Sequence, residues 1–238
     1  MRRSSPTTWG SGHSVCTTSG TTTLHLALKA LKIGKGDRVI VPNLIFASPA
    51  NAAIYEGAEP VLADVHLDHW GLDPNRLEAL IDKRTKVIVV VHLYGNPCDQ
   101  QPILKIARAH DLYVIEDCAE ALGAEYRGKR VGLAGDVSCF SFYGNKVITT
   151  GEGGMVVTKD ARWAERVRVL RDHGMRPSKR YWHDEVGYNY RMTNLQAALG
   201  VAQLEGVRSF VEKKRKIAAW YASGLKHPRI LQTHPDPE

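Results

Sequence analysis

The sequence predicts an α/β layer fold with a mostly parallel central sheet sandwiched by helices. Three observations carry this. Short β-branched runs alternate with helical stretches along most of the 238 residues, the pattern of strand–helix–strand units. The run Val87-Ile-Val-Val-Val91 lacks polar alternation, as expected of a strand covered on both faces. Apolar residues make up 43% of the chain against 24% charged, enough to bury a core, so a chain disordered throughout is excluded.

Each element follows in order. Residues 24–31 are an apolar helix, entered from the hydroxyl-rich stretch Thr17-Thr-Ser-Gly-Thr-Thr-Thr. Residues 38–41 are a strand ending at Pro42, which cannot continue a central strand. Residues 48–55, small and apolar, are a helix, and 60–64 a strand. Asp73-Pro74 opens a helix running to about Ile81, with proline in the first turn where its missing N–H costs nothing. Residues 86–94 are a buried strand, 101–110 a helix and 113–117 a strand. Two more strands follow at 137–142 and 154–157. Residues 161–171, 194–204 and 210–225 are helices. No internal repeat or low-complexity linker divides the chain.

The net charge is +7. Acids and bases are interspersed, and the dense basic run Lys213-Lys214-Arg215-Lys216 falls on a predicted surface helix. Nucleic acid is therefore not an expected partner. No apolar run approaches the roughly 20 residues that span a bilayer, so no membrane partner is expected. The cysteines at 16, 98, 118 and 139 form no CxxC pair. A metal site or disulfide framework is not expected, and a cytoplasmic setting fits best. The first 36 residues hold no acid, superficially like a transit peptide. A removable leader extends at most to about Gly12, because the acid-free stretch runs into residues with a site role.

In open α/β sheets, ligands bind beyond the carboxyl ends of the strands. Tyr113-Val-Ile-Glu-Asp117 places an aspartate there, with Glu116 and Asp117 on opposite faces. Asp117 either caps the next helix or aims a carboxylate into a ligand crevice. Ser138-Cys-Phe-Ser-Phe-Tyr-Gly-Asn-Lys146 ends a second strand with a lysine, followed by Gly151-Glu-Gly-Gly154. Lysine is ordinarily a solvated surface residue, but between a strand end and a glycine-rich turn its amine can act as a nucleophile. The Thr17–Leu24 stretch is a helix start, either a plain N-cap or an anion cradle. Together, a lysine, a strand-end acid and a phosphate cradle are the groups that pyridoxal phosphate requires.

At these residues the chain resembles a known family. Thr18-Ser-Gly-Thr-Thr-Thr-Leu-His-Leu-Ala27, Gly36-Asp-Arg-Val-Ile-Val-Pro42, Val114-Ile-Glu-Asp-Cys-Ala-Glu-Ala-Leu-Gly123 and Phe140-Ser-Phe-Tyr-Gly-Asn-Lys-Val-Ile-Thr-Thr-Gly-Glu-Gly-Gly154 look like the DegT/DnrJ/EryC1/StrS sugar aminotransferases. Leu170-Arg-Asp-His-Gly-Met175 and the segment from Val186 to Leu199 extend the likeness, which covers residues 15–210. Within the family, the 143–154 segment and Lys179-Arg-Tyr-Trp-His183 look most like enzymes that aminate C4 of GDP-4-keto-6-deoxymannose.

The resemblance implies fold type I of the pyridoxal-phosphate-dependent transferases. It implies amino transfer from a donor, glutamate, to a nucleotide-linked keto sugar, in a homodimer with shared sites. Lys146 matches the lysine that holds the cofactor aldehyde, and Asp117 the partner of the ring nitrogen. Glu120 lies where the family places Gln, His or Glu near the ring hydroxyl. Phe46 matches the aromatic that stacks on the ring, with core packing as its plainer reading. Gly20, Thr21 and Ser141 match phosphate contacts. Asn189 resembles an asparagine lent to the phosphate by the neighbouring subunit, or is a turn residue. A 3-dehydratase of the same family has histidine at the lysine position, so Lys146 argues against that activity.

The family usually has a few dozen residues before the phosphate segment and continues well beyond residue 238. The expected organisation is an unassigned segment 1–13, a cofactor domain 14–210, and a long helix opening a largely missing small domain at 211–238. A chain so shortened also admits a silent reading, in which it binds cofactor or a partner subunit without turnover.

Overall fold

A computed structural model describes residues 12–230 of the chain. Most of the unassigned segment 1–13, and residues 231–238 of the last segment, lie outside the described residues. In chain order the elements are β1 (His13–Thr17), α1 (Gly20–Ala30), β2 (Arg38–Pro42), α2 (Ser48–Tyr55), β3 (Glu59–Ala63), β4 (Thr85–Val91), α3 (Gln100–Ala109), β5 (Tyr113–Asp117), β6 (Glu125–Tyr126), β7 (Lys129–Arg130), β8 (Val137–Ser141), β9 (Gly154–Thr158), α4 (Ala161–Leu170), α5 (Asn194–Glu205) and α6 (Val207–Gly224).

One seven-stranded sheet has the order β1-β9-β8-β5-β4-β2-β3. The strands from β3 to β8 run parallel. Only β9 is reversed, antiparallel to both β8 and β1. The sheet is thus mostly parallel and layered with helices, as expected. The apolar run of β4 is buried on both sides. Val87, Val89 and Val91 join one core with α1, α2 and α4, whereas Ile88 and Val90 join a second core with Ile103 and Ala107 of α3. Strand alternation places neighbouring residues on opposite faces, so a continuous apolar run feeds two cores at once.

Several boundaries differ from the sequence reading, each for a local reason. Helix α1 starts at Gly20 rather than Leu24, because Ser19 and Thr22 form a capping box. The expected 74–81 helix is instead two 3₁₀ turns, Pro74–Arg76 and Glu78–Leu80. The Asp73 carboxylate accepts the Asn75 amide and the Asp82 carboxylate accepts those of Arg84 and Thr85. The span between these stops is too short to nucleate an α-helix. Strand β4 ends at Val91, and Leu93–Gly95 turns away with Tyr94 at φ 53°.

Pro42 does lie in a strand with neighbours on both sides. Its ladder to β3 reaches Ala63, but the ladder to β4 stops at Ile40, so the missing N–H breaks no bond. Strand β1 and the β6–β7 hairpin were not legible. Strand β1 buries only Val15 and Thr17 and has no apolar run. The hairpin is only a residue pair on each side of Arg127-Gly128, both at positive φ.

Candidate active site

Strands β5 and β8 lie side by side with Asp117 opposite Cys139, and a cavity of about 640 Å³ opens beyond their carboxyl ends. That size suits a small-molecule site.

Its floor is Asp117, only 7% exposed. One carboxylate oxygen accepts the Ala119 amide at 3.0 Å. Burial pushes the carboxyl up from 3.8 to about 6, against the opposing pull of the Ala119 amide and of His92. The neighbouring Glu116 points the other way, as alternation requires. It accepts amides from Gly132 at 2.8 Å, Ala134 at 2.9 Å and Gly135 at 2.6 Å. Burial alone would raise its carboxyl. The His92 contact and the Gly135 and Gly132 amides outweigh that and hold it low. His92 is fully buried beside Glu116, and its own amide donates to the Asp117 carbonyl at 3.2 Å. The Cys98 amide donates to its Nδ1 at 3.4 Å, which leaves Nε2 facing Glu116 at 3.3 Å.

Lys146 reaches the cavity from the turn after β8. Its Nζ lies 3.3 Å from Glu120 Oε1. The other oxygen of Glu120 accepts the Tyr94 amide at 2.7 Å. The left-handed backbone of Tyr94 therefore aims an N–H at the acid that holds the lysine.

The opposite wall is the amino end of α1. Ser19 takes the Thr22 amide, leaving the amides of Gly20 and Thr21 outside the intrahelical ladder. Both residues line the cavity with Ser141. Gly20 lies directly on Ser141, where an added Cβ would come within 2.8 Å of the Ser141 Cβ. A side chain at Gly154 would collide with the Ser19 carbonyl. The glycine-rich turn thus lets β9 and β8 press against the helix start. Thr21 Oγ1 also meets Ser48 Oγ at 2.8 Å. Phe46, on the β2–α2 connection, lines the cavity yet is 78% exposed, so it is a wall of the cleft rather than part of the core.

Asn189 stands apart. It is exposed, forms a bridge with Asp172, and is not on the cavity wall. Its neighbours Tyr188 and Tyr190 stack on each other and pack against His25. The sequence reading did not single out His25 and Glu56, which anchor this segment. It also gave no role to His92 or Tyr94, although the rule that polar residues after a strand line the site points to both.

A buried acid, an amine beside it, and a hydroxyl and amide cradle fit a ligand carrying a cationic ring nitrogen, an aldehyde and a phosphate. These are the parts of pyridoxal phosphate.

The profile of the DegT/DnrJ/EryC1/StrS aminotransferase family matches residues 6–238. The chain belongs to this family. Among its DegT relatives, GDP-perosamine synthase of Caulobacter vibrioides is 54% identical over 227 residues, covering 94% of this chain and 61% of the relative. The solved structure of S. venezuelae DesV in complex with a ketimine intermediate superposes with a TM-score of 0.90 at 41% identity, covering 94% of this chain and 60% of that one. The PLP form of Spr1654, a candidate sugar aminotransferase from Streptococcus pneumoniae, superposes at 0.83 and 31% identity, covering 89% and 59%. The chain spans about three fifths of the length of these relatives. The family and the PLP form of this structural neighbour imply pyridoxal phosphate as the cofactor. Among the described residues, no helix is long and apolar enough to cross a membrane.

Proposed function

We propose that the protein containing this chain transfers an amino group from glutamate to a nucleotide-linked keto sugar, a 4-keto-6-deoxyhexose, in the cytoplasm. The product serves amino-sugar and polysaccharide biosynthesis. The carrying observation is the convergence of Lys146, Asp117 and the amino end of α1 on one cavity.

When bound, pyridoxal phosphate supplies an electron sink for the charge left on a deprotonated carbon. The residues of the chain do the rest. The amides of Gly20 and Thr21 and the hydroxyl of Ser141 hold the phosphate. Asp117 keeps the proton on the ring nitrogen, and that cation in turn relieves the cost of a buried carboxylate. Phe46 covers one face of the ring. Lys146 would anchor the aldehyde and, once the donor amine has taken its place there, the freed amine would take the proton from the donor α-carbon as base and give it as acid to the former aldehyde carbon. Glu120 orients the amine between these tasks.

We assign residues 14–210 to the cofactor domain and 211–238 to the start of a small domain. Asn189, exposed and away from its own cavity, fits a contact to the cofactor phosphate of a second copy in a homodimer. A second reading, binding of cofactor or a partner subunit without turnover, is supported by the exposed apolar residues Leu195 and Trp220 on α5 and α6.

The test is to load the purified chain with pyridoxal phosphate and supply glutamate with GDP-4-keto-6-deoxymannose. Formation of 2-oxoglutarate together with a 4-amino sugar supports transfer. Bound cofactor with no 2-oxoglutarate supports the second reading. Failure to bind cofactor rejects transfer and cofactor binding by this chain alike.

A further inference from the structure

Two aromatic residues with no assigned chemistry share an uncommon backbone state. Trp70 and Tyr94 lie in the left-handed region, at φ 59° and 53°, which costs energy for any residue but glycine. They sit in different turns, 66–71 after β3 and 93–95 after β4. Their rings nevertheless meet edge to face, with centroids 6.1 Å apart and planes at 77°. Such backbone strain persists only where the surroundings over-determine it.

The 66–71 turn is stiff. Val65 and Leu72 bridge its ends. The His66 amide donates to the Gly71 carbonyl at 2.8 Å, and the Trp70 amide to the His66 carbonyl at 2.9 Å. His66 and His69 stack with centroids 4.7 Å apart, 5° from parallel. His69 Nδ1 accepts the Gly71 amide at 3.1 Å. A Cβ added at Gly71 would collide with the Cys98 side chain, so the turn is pressed onto the segment after β4.

That segment receives two contacts from the turn. The Trp70 ring meets Tyr94, and the His69 carbonyl accepts the Asn96 side-chain amide at 3.3 Å. Tyr94 is otherwise 74% exposed, yet its amide fixes Glu120 at 2.7 Å. An edge-to-face ring pair and one left-handed residue are of similar energy, so the pair is large enough to decide whether Tyr94 keeps this conformation.

We infer that Trp70 is a positioning residue for Lys146: its ring braces Tyr94, the Tyr94 amide fixes Glu120, and Glu120 holds the amine at 3.3 Å. Its bearing on amino transfer rests on the reading of Lys146 as the cofactor anchor. An amine held by a carboxylate is withdrawn from acylation, so the brace has a readout of its own.

The probe is acetic anhydride on the cofactor-free chain, with Lys146 acetylation read by peptide mass spectrometry against the exposed Lys213. Trp70→Ala keeps the backbone cost at residue 70 and removes the ring. Expected is acetylation of Lys146 about fivefold faster, with Trp70→Phe, which retains a ring edge, near wild type. Glu120→Ala should raise acetylation by itself. Adding Trp70→Ala to it should change nothing further, because the brace acts through that acid. Urea denaturation checks that each variant is folded, and Trp70→Leu replaces Trp70→Ala if the latter fails to fold. An unchanged rate in Trp70→Ala overturns the inference. So does a Phe variant that behaves like Ala, or a rise that persists in the Glu120→Ala background, which would mean general loosening. Borohydride trapping of pyridoxal phosphate on wild-type Lys146 tests the anchor reading separately. No trapped label with the acetylation pattern intact means that the brace stands and the anchor reading fails. A trapped label with acetylation unmoved by Trp70→Ala means that the anchor stands and the brace fails.

Discussion

Lys146 Nζ lies 3.3 Å from one oxygen of Glu120, and the second oxygen of that acid is fixed from a third element by the Tyr94 amide after β4. The lysine turn, the β5 turn and the β4 turn therefore share one short chain of contacts.

Lys146→Ala removes the amine and leaves the fold, since the side chain makes its hydrogen bond only to Glu120 among the described residues. Borohydride should trap a label on the Lys146 peptide of the cofactor-loaded wild type, and the variant should lose it. Circular dichroism should be unchanged. A trapped label elsewhere in the variant would reassign the anchoring lysine.

Asp117→Asn should make the cofactor-free chain more stable at neutral pH. The carboxyl rises from 3.8 to about 6 on folding. The folded state therefore favours the protonated form, and stability falls as pH rises through that window. A shift of this size corresponds to roughly 3 kcal/mol at most. The amide avoids that cost, so urea denaturation should show a gain on the order of 1–3 kcal/mol at pH 8 that shrinks toward pH 4. Turnover in the loaded protein should fall at least about hundredfold. A variant less stable than wild type at pH 8 would contradict the burial argument.

Glu116→Ala strands the amides of Gly132, Ala134 and Gly135. A cost on the order of 3–5 kcal/mol is expected in denaturant unfolding. Its pKa shift runs opposite to that of Asp117. The folded carboxyl is held low, so its contribution is full above the unfolded value and is lost as pH falls through the folded one. Glu116→Gln should accordingly flatten the acid limb of the stability curve.

Gly20→Ala should push α1 off Ser141. The contact at 2.8 Å leaves no room for a methyl, and about 1–3 kcal/mol of stability should go with cofactor affinity. Gly144→Ala, with nothing within 4 Å of the added carbon, is the matched control for retained cofactor binding.

If Asn189 serves a second copy, cofactor occupancy should fall on dilution through the dimer dissociation range. Sedimentation and absorbance over one concentration series test this. A fully loaded monomer would remove Asn189 from the site.

How much of this was legible depended on the reach of each signal. Strand β5 was read at its observed bounds, because its apolar run and terminal acid lie within five residues. The α1 start, Asp117 and Lys146 carry local signatures, and the cavity gathers them. The Glu120–Tyr94 link was not legible, since nothing near Tyr94 announces that its amide will meet an acid 26 positions away. Strand β1 was missed because its pairing with β9 is long-range. The 74–81 helix was over-read because propensity does not see the Asp73 and Asp82 stops. The basic run at 213–216 was legible as a surface helix, and α6 exposes all four of its residues.

The position of β1 bears on the order of assembly. Among the described residues, β1 pairs only with β9, with Thr17 opposite Gly154. During synthesis the earliest described strand thus waits unpaired while the rest of the sheet is made. Contacts of such long sequence separation form slowly, because loop closure must precede their stabilisation. Ser19 and Gly20 follow that strand directly and are packed by Gly154 and Ser141. The anion cradle therefore matures last, and cofactor capture by a nascent chain would report that β9 has left the ribosome.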